Sequence, residues 1–367
     1  MSKVLHVAAV DFTVTKLLSP QLDFLVASGY EVRVACQHTD DRYWRELSRF
    51  RPINVPFPRE LRPVSMLRAT LTLSAFVADW KPDFLHLHTP AASLPVRAMP
   101  HPSWSKDTKL IYTVHGFLHG WPPRGLKERL VQRVEQWEAK ATDGILFQSI
   151  EDWQAAVRLR YESRLDYLGN GVEDSWYEIA PRSRDREFNL LFVGRLVREK
   201  GVLELLRSLQ DIPEIHLHIA GEALPSDRDP VTREVEQLLS STALRGRVTQ
   251  HGMLSQPALQ GLYGSVDALC LPSYREGVPR SVIEALAAGR PVVASNIRGC
   301  NELIAHGTNG WLVPAREVGP LRAALKALSE LDSVALRGFG ERARKSVDPG
   351  RRESQVCQRL LTAYRDL

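Results

Sequence analysis

The chain has 367 residues, 44% of them hydrophobic and 25% charged, with a formal net charge of +5; that suits two globular domains, each with its own core. Cys36, Cys270, Cys300 and Cys357 are scattered without metal-ligand spacing, which argues against a zinc framework and for reduced thiols in a cytoplasmic protein. No uncharged apolar run reaches the roughly 20 residues needed to cross a bilayer, and no nucleic-acid-binding module is recognisable.

Met1 to Val7 runs straight into a predicted strand, Val4–Val10, without a signal-peptide pattern. The expected location is therefore cytoplasmic, with a peripheral place on the inner face of the cell membrane as the alternative. A helix follows over 15–28, stopped by Gly29, then a strand over 31–36. Between Arg42 and Arg68 stand seven arginines (42, 45, 49, 51, 59, 62, 68), interleaved with Tyr43, Trp44, Phe50 and Phe57. Bases mixed with aromatic rings suit an anionic membrane surface or an acidic ligand, and a solvated basic face is the plainer reading. Helical spacing recurs near 41–49 and 64–79. Strands are predicted at 82–88, 109–114 and 144–147, with a helix over 125–142; this helix, beginning near Trp121 and Arg124, is a second candidate membrane contact. This alternation predicts a doubly wound parallel sheet ending near 165–168.

From Glu173 to Glu187 the sequence is polar and broken by Pro181, so 174–187 reads as a linker between a first domain, 1–173, and a second, 188–350. The alternation restarts with strands at 188–193, 215–220, 248–250, 267–271, 291–294 and 310–313. The tail, 351–367, carries Val356, Leu360, Leu361 and Tyr364 at helical spacing. Two such sheets are expected to face each other across a cleft at their carboxyl edges, where α/β sheets bind ligands.

The chemistry gathers in the second half. Phe192-Val193-Gly194-Arg195 puts a glycine after a buried strand, where backbone can approach a ligand, and Lys200 follows before the next helix. In Arg275 to Gly289, a glycine loop holding Glu276 and Gly277 leads through Val278 and Pro279 into a helix carrying Glu284. The N–H groups of Arg280, Ser281 and Val282 are expected to open that helix as a phosphate site. Arg195 and Lys200 beside it could neutralise a diphosphate. Carboxylates next to phosphates repel them, so Glu276 and Glu284 make sense as acceptors for sugar hydroxyls. Sugar joined to phosphate is the implied ligand class.

Gly194-Arg195-Leu196-x3-Lys200-Gly201, Ala220-Gly221-Glu222 and Glu276-Gly277-x6-Glu284-Ala285 resemble the retaining family-4 glycosyltransferases of the GT-B fold. So do Ala287-Ala288-Gly289-Arg290-Pro291-Val292-Val293-Ala294, Glu302-Leu303-Ile304-x5-Gly310-Trp311-Leu312-Val313 and His115-Gly116-Phe117. The variant Glu276-Gly277-Val278-Pro279-Arg280, with Thr113 to Phe117, is similar to the branch that builds bacterial surface polysaccharides and lipid-linked oligosaccharides. The resemblance implies two Rossmann-like domains and a nucleotide-sugar donor, most often a UDP-sugar, as co-substrate, with no further cofactor and no metal. It implies a glycan or lipid-diphosphate-linked sugar as acceptor. Arg195 and Lys200 would hold the donor diphosphate, Glu276 the donor sugar, Glu284 the ribose, and Met253 and Leu254 the base. His115 would stand beside the sugar, and the tail helix would pack on the first domain.

His86 and His88 share one strand face by their spacing, which favours a supporting role over contact with substrate. One departure concerns the first loop, where Ala8-Ala9-Val10-Asp11-Phe12-Thr13 replaces the family's glycine pair, leaving Asp11 and Thr13 as acceptor contacts without a motif behind them. A nucleotide-sugar epimerase, or a binding protein without turnover, is the competing reading.

Overall fold

In the computed structural model the described residues are 1–57, 63–98, 107–117, 123, 125–182, 187–224, 227, 229–347 and 350–367. The chain divides into two compact units, Met1–Gly169 with Gln355–Leu367, and Asn170–Ser354. The division falls at Gly169, ahead of the polar stretch read as a linker. That stretch missed two large apolar side chains: Asp174–Glu178 is a 3-10 turn whose Trp176 and Tyr177 are buried in the second unit's core. Residues 183–186 of it lie outside the described residues.

The first unit holds β1 (Lys3–Val10), β2 (Glu31–Gln37), β3 (Ile53–Asn54), β4 (Phe84–His88), β5 (Lys109–Val114), β6 (Gly144–Phe147) and β7 (Arg164–Tyr167). They form one parallel sheet in the order β3-β2-β1-β4-β5-β6-β7. Leu5, Val7, Leu85, Leu87 and Tyr112 face the helices Pro63–Trp80, Pro90–Ala98 and Ile150–Arg158. Val4, Ala8, Ile111 and Leu146 face the other way, into a core shared with Leu22, Leu25, Val356, Leu360 and Tyr364. Parallel strands buried on both faces need this near-continuous apolar sequence. The last helix, Glu353–Arg365, puts its apolar stripe on that second face from Val356 on, while its first residue, Glu353, still belongs to the second unit and donates its N–H to Val172 O there at 2.8 Å.

The second unit repeats the plan with β8 (Phe188–Val193), β9 (Ile215–Ala220), β10 (Val248–Gly252), β11 (Ala268–Leu271), β12 (Val292–Ser295) and β13 (Gly310–Val313), in the order β10-β9-β8-β11-β12-β13. Both sheets reverse winding beside their first strand, at β1/β4 and at β8/β11, the position where such sheets bind ligands outside their carboxyl ends.

Two expectations change. The basic aromatic stretch does not show its rings to solvent, because Tyr43, Phe50 and Phe57 are core residues and Trp44 packs on His38. Its Arg42 and Arg49 pair with Asp40 and Asp23; Arg59 and Arg62 lie outside the described residues, as do Trp121 and Arg124. Asp11 is fully buried and both its oxygens are engaged: it accepts N–H bonds from Phe12 (2.8 Å), Thr39 (2.6 Å) and Asp40 (3.0 Å), and a bond from the Thr39 hydroxyl. A carboxylate so fully satisfied fixes the loop after β2 rather than offering itself to a ligand.

Candidate active site

At the carboxyl end of the second sheet the backbone itself forms the floor. Gly194 donates its N–H to Ala220 O at 3.0 Å and Gly221 donates to Gly252 O at 2.8 Å, so the ends of β8, β9 and β10 are laced together. Gly221 has φ +128°, and a Cβ there would stand 2.2 Å from Gly194 O. Glycine is required, and the main chain is left bare where a ligand would approach. Met253 and Leu254 follow directly, Met253 exposed and Leu254 packed against the core.

Lys200 and Glu276 meet on this edge. The Lys200 ammonium donates to Glu276 Oε1 at 2.6 Å, and the Ser273 hydroxyl donates to the same oxygen at 2.7 Å. Both charged side chains are mostly buried, at 19% and 11% exposure, so the pair is little screened. Gly201, the residue after Lys200, has φ +69°, and a Cβ there would lie 2.0 Å from Pro272 O, which ties Lys200 to the end of β11. Arg195 leans instead on Asp227, with Glu199 at 3.6 Å.

The helix Arg280–Ala287 opens after Pro279, which is its cap (φ −69°, ψ 116°) rather than its first helical residue. Val282 is not one of the open donors, because its N–H already reaches Pro279 O at 3.1 Å. A tight i→i+3 bond at the first turn consumes it, leaving Arg280 and Ser281 at the helix tip. Val278 is buried, and its carbonyl accepts from the Asn170 side chain at 2.9 Å. Gly277 is held by a residue the motif did not point to: a Cβ on Gly299, at φ +81°, would fall 1.4 Å from Gly277 O.

Arg280 is the centre of an acid cluster. Its guanidinium donates to Glu173 at 2.7 Å and lies 3.4 Å from Glu284 and 3.5 Å from Glu353. Glu284 is buried, and Tyr263 OH is 3.4 Å from its Oε2. Burial pushes the Glu284 carboxyl up to about 7, against the pull of Arg280. Glu173 and Glu353 lie far from the motif in sequence, and only the fold brings them here.

His115, after β5 in the first unit, heads a chain of imidazoles. Its Nδ1 is 3.1 Å from Gln148 Oε1 and its Nε2 is 3.1 Å from His88 Nδ1. His88 Nε2 is 2.9 Å from His6 Nδ1, and His6 Nε2 is 3.4 Å from Tyr364 OH. Tyr364 OH is 2.6 Å from His86 Nδ1, and His86 Nε2 is 2.7 Å from Thr113 Oγ1. The register pairs His6 with His86 across β1 and β4, and His88 with Thr113 across β4 and β5, so alternate residues stack on one face.

With the Gln148 carbonyl oxygen as final acceptor, one polarity satisfies every group: Thr113, His86, Tyr364, His6, His88 and His115 each donate to the next. Each neutral imidazole has one donor and one acceptor, and each is used. Burial lowers the imidazoles, His6 to about 3, His115 to about 4, and His86 and His88 well below their ordinary value. Ring nitrogens of His6, His86 and His88 come within 4.8 Å of one another. Since each nitrogen already has a hydrogen-bond partner, the group works as a chain rather than as a ligand set. The spacing of His86 and His88 hinted at a shared face; His6 and Tyr364 carried no motif.

Residues 178–346 match the family described as "Glycosyl transferases group 1", and residues 21–171 match "Glycosyl transferase 4-like domain". The glycogen synthase of Mycobacterium tuberculosis is 30% identical over 286 residues, covering 74% of this chain and 67% of that protein. The capsular polysaccharide biosynthesis glycosyltransferase CapM of Staphylococcus aureus is 23% identical, over 99% of this chain and 96% of its own. Among solved structures, sucrose-phosphate synthase from Thermosynechococcus elongatus superposes with TM-score 0.82 at 19% identity, covering 100% of this chain and 99% of that one. Anabaena HepE in complex with UDP does so with TM-score 0.78 at 18% identity, over 100% of both chains. The chain belongs to the group 1 glycosyl transferases, with a 4-like first half and the two Rossmann-like units of the GT-B fold.

Proposed function

We propose that this glycosyltransferase moves a sugar from a UDP-sugar, with retention of configuration and without a metal, to a hydroxyl of a glycan or lipid-diphosphate-linked sugar in cell-surface polysaccharide synthesis. The observation that carries the reading is the Lys200–Glu276 pair, 2.6 Å apart, with Glu276 four residues ahead of the helix that starts at Arg280. A cation and a carboxylate held together there match a ligand with phosphate at one end and hydroxyls at the other. The donor splits the pair: its diphosphate takes Lys200, and the sugar hydroxyls take Glu276.

In the reaction the acceptor oxygen forms a bond to the anomeric carbon while the bond from that carbon to the diphosphate oxygen breaks. The acceptor's proton passes to the departing phosphate on the same face. Negative charge grows on the diphosphate as the bond breaks, so Lys200, Arg195 and the Arg280 and Ser281 N–H groups favour the transition state over the ground state. Glu284 accepts from the ribose, Met253 and Leu254 flank the base, and neutral His115 is offered to the transferred sugar. Support for the donor comes from HepE, solved with UDP; support for the acceptor class comes from CapM, named for capsular polysaccharide biosynthesis.

Incubation with a panel of nucleotide sugars, with and without glycan and lipid-linked acceptors, tests it. Acceptor-dependent release of UDP with an α-linked product from an α-linked donor is the expected result. An isomerised sugar, or binding without release, overturns it.

A further inference from the structure

The helix Leu126–Ala139 of the first unit is built inside out. Every exposed position from 126 to 140 is Leu, Trp, Lys or Arg: Leu126, Lys127, Arg129, Leu130, Arg133, Trp137 and Lys140. Leu126, Leu130 and Trp137 are 85%, 64% and 55% exposed. At 100° per residue those three fall within one narrow stripe together with Arg133. The acids point the other way. Glu135 and Glu138 are buried, 3.1 and 3.0 Å from the buried Arg97, which also donates to Thr142 at 3.1 Å and lies over the Tyr112 ring. Burial pushes the Glu138 carboxyl up to about 8.

A helix packed only for stability would bury its leucines and expose its glutamates. Here the costly groups are inside and the greasy ones outside, so the outer face answers to something other than folding. The helix Pro63–Trp80 packs on the same core and exposes Val64, Leu67 and Leu71 with Arg68, again on one stripe.

We propose that this outer face, Leu126, Leu130 and Trp137 flanked by Lys127, Arg129, Arg133 and Lys140, seats the protein on an anionic lipid surface. An apolar stripe with an indole and bordering bases is what a helix lying in the headgroup layer requires. The apolar side chains enter the acyl boundary and the bases meet lipid phosphates. A second copy of the chain is a poor occupant, since a self-complementary contact would set these four bases against four more. The inference gives the transferase reading a place to act, on acceptors carried by lipid, but the binding itself does not depend on turnover.

The test is flotation of the full chain with phosphatidylcholine vesicles, with and without phosphatidylglycerol. The parent should float only with the anionic vesicles, and less as salt rises. Each base contributes about fivefold, so Arg129→Glu/Arg133→Glu should lower partitioning by at least about 25-fold. Leu130→Ser/Trp137→Ser should lower it by about tenfold or more. These positions are exposed, and unchanged melting curves confirm that the variants fold. Equal binding to neutral vesicles, or full binding by either variant, overturns the proposal. So does a dimer in sedimentation that Trp137→Ser dissolves, or tighter binding to a DNA duplex that Leu130→Ser/Trp137→Ser leaves intact. UDP release from UDP-glucose without vesicles separates the two readings: both variants should keep the parent rate. A parent that floats but releases no UDP from any donor of the nucleotide-sugar panel, with glycan and lipid-linked acceptors present, sinks the transferase reading alone.

Discussion

The polar networks around His115 in the first unit and Lys200 in the second are of opposite kinds. In the first, His115 ends a buried chain of neutral groups in which each donor has one acceptor. In the second, charges oppose charges: Lys200 against Glu276, Arg195 against Asp227, and Arg280 against Glu173, Glu284 and Glu353. A neutral chain loses no solvation of a full charge when buried, and it fixes which nitrogen of each ring carries the proton. It is suited to orienting. Ion pairs at a partly open edge can exchange partners, because an incoming phosphate or hydroxyl replaces what it displaces. They are suited to binding and release.

The sharpest way to break that contrast is at Lys200. Lys200→Ala removes the cation that the donor would capture and leaves Glu276 facing its phosphates. Turnover of the UDP-sugar should fall by about 10²–10³-fold, as for loss of one pre-placed charge-stabilising group, with melting temperature little changed. Lys200→Arg should recover part of the loss. An alanine variant with the parent rate would show that the pair is structural.

The pH dependence of stability sharpens it from both sides. Burial holds His6 at about 3 and His115 at about 4 in the folded chain, against an ordinary 6.5. Below 6.5 the unfolded chain takes up these protons and the folded chain does not. Their stabilisation is therefore complete above about pH 6.5 and lost toward pH 4, by on the order of 1.4 kcal/mol per pH unit for each such histidine. Glu284 runs the other way. Its carboxyl is raised from 4.5 to about 7, so the folded chain keeps a proton that the unfolded one has released, and stability declines as pH rises through that window. Urea unfolding at a series of pH values should show an acid limb rising to about pH 6.5 on the histidines and an alkaline limb falling above it on Glu284 and on Glu138, which burial raises to about 8. Glu284→Gln should remove only the Glu284 share of the alkaline limb. An unchanged alkaline limb would mean that Arg280 holds Glu284 ionised throughout.

Most of the fold was legible because buried parallel strands leave an unambiguous trace: runs such as Phe188–Val193 and Ile215–Ala220 match the observed strands residue for residue. Short or polar elements were not. β3 has two residues, Pro90–Ala98 carries Pro95 in its interior, and the 174–178 turn hides Trp176 and Tyr177 among charges. At the candidate site, the motif picked out Gly194, Lys200 and Glu276, which follow strands in sequence, and Glu284 on the helix Arg280–Ala287. It could not locate Glu173, Glu353 or Gly299, which reach Arg280 or Gly277 only through tertiary contact. The membrane reading shows the same limit. Basic and aromatic composition pointed to 42–68 and to the helix beginning near Trp121 and Arg124, but burial decides which rings face outward: those of 42–68 are turned in, and the exposed stripe lies on 126–139.

The smallest effect expected is also the most informative about the histidines. Tyr364 lies on the last helix, yet its hydroxyl joins His86 to His6 and so completes the line that ends on His115. Tyr364→Phe keeps the ring, which stacks on Phe84, and removes only the oxygen. His86 Nδ1 then loses its acceptor inside the core, which should cost about 1–3 kcal/mol of unfolding free energy. If the chain orients His115, kcat should fall by a few-fold with KM for the donor held. The same substitution made on top of His115→Ala should then leave kcat where His115→Ala alone puts it, because there is no imidazole left to orient. Equal losses of kcat with and without His115 would assign Tyr364 to packing, and the neutral chain would lose its claim on the chemistry.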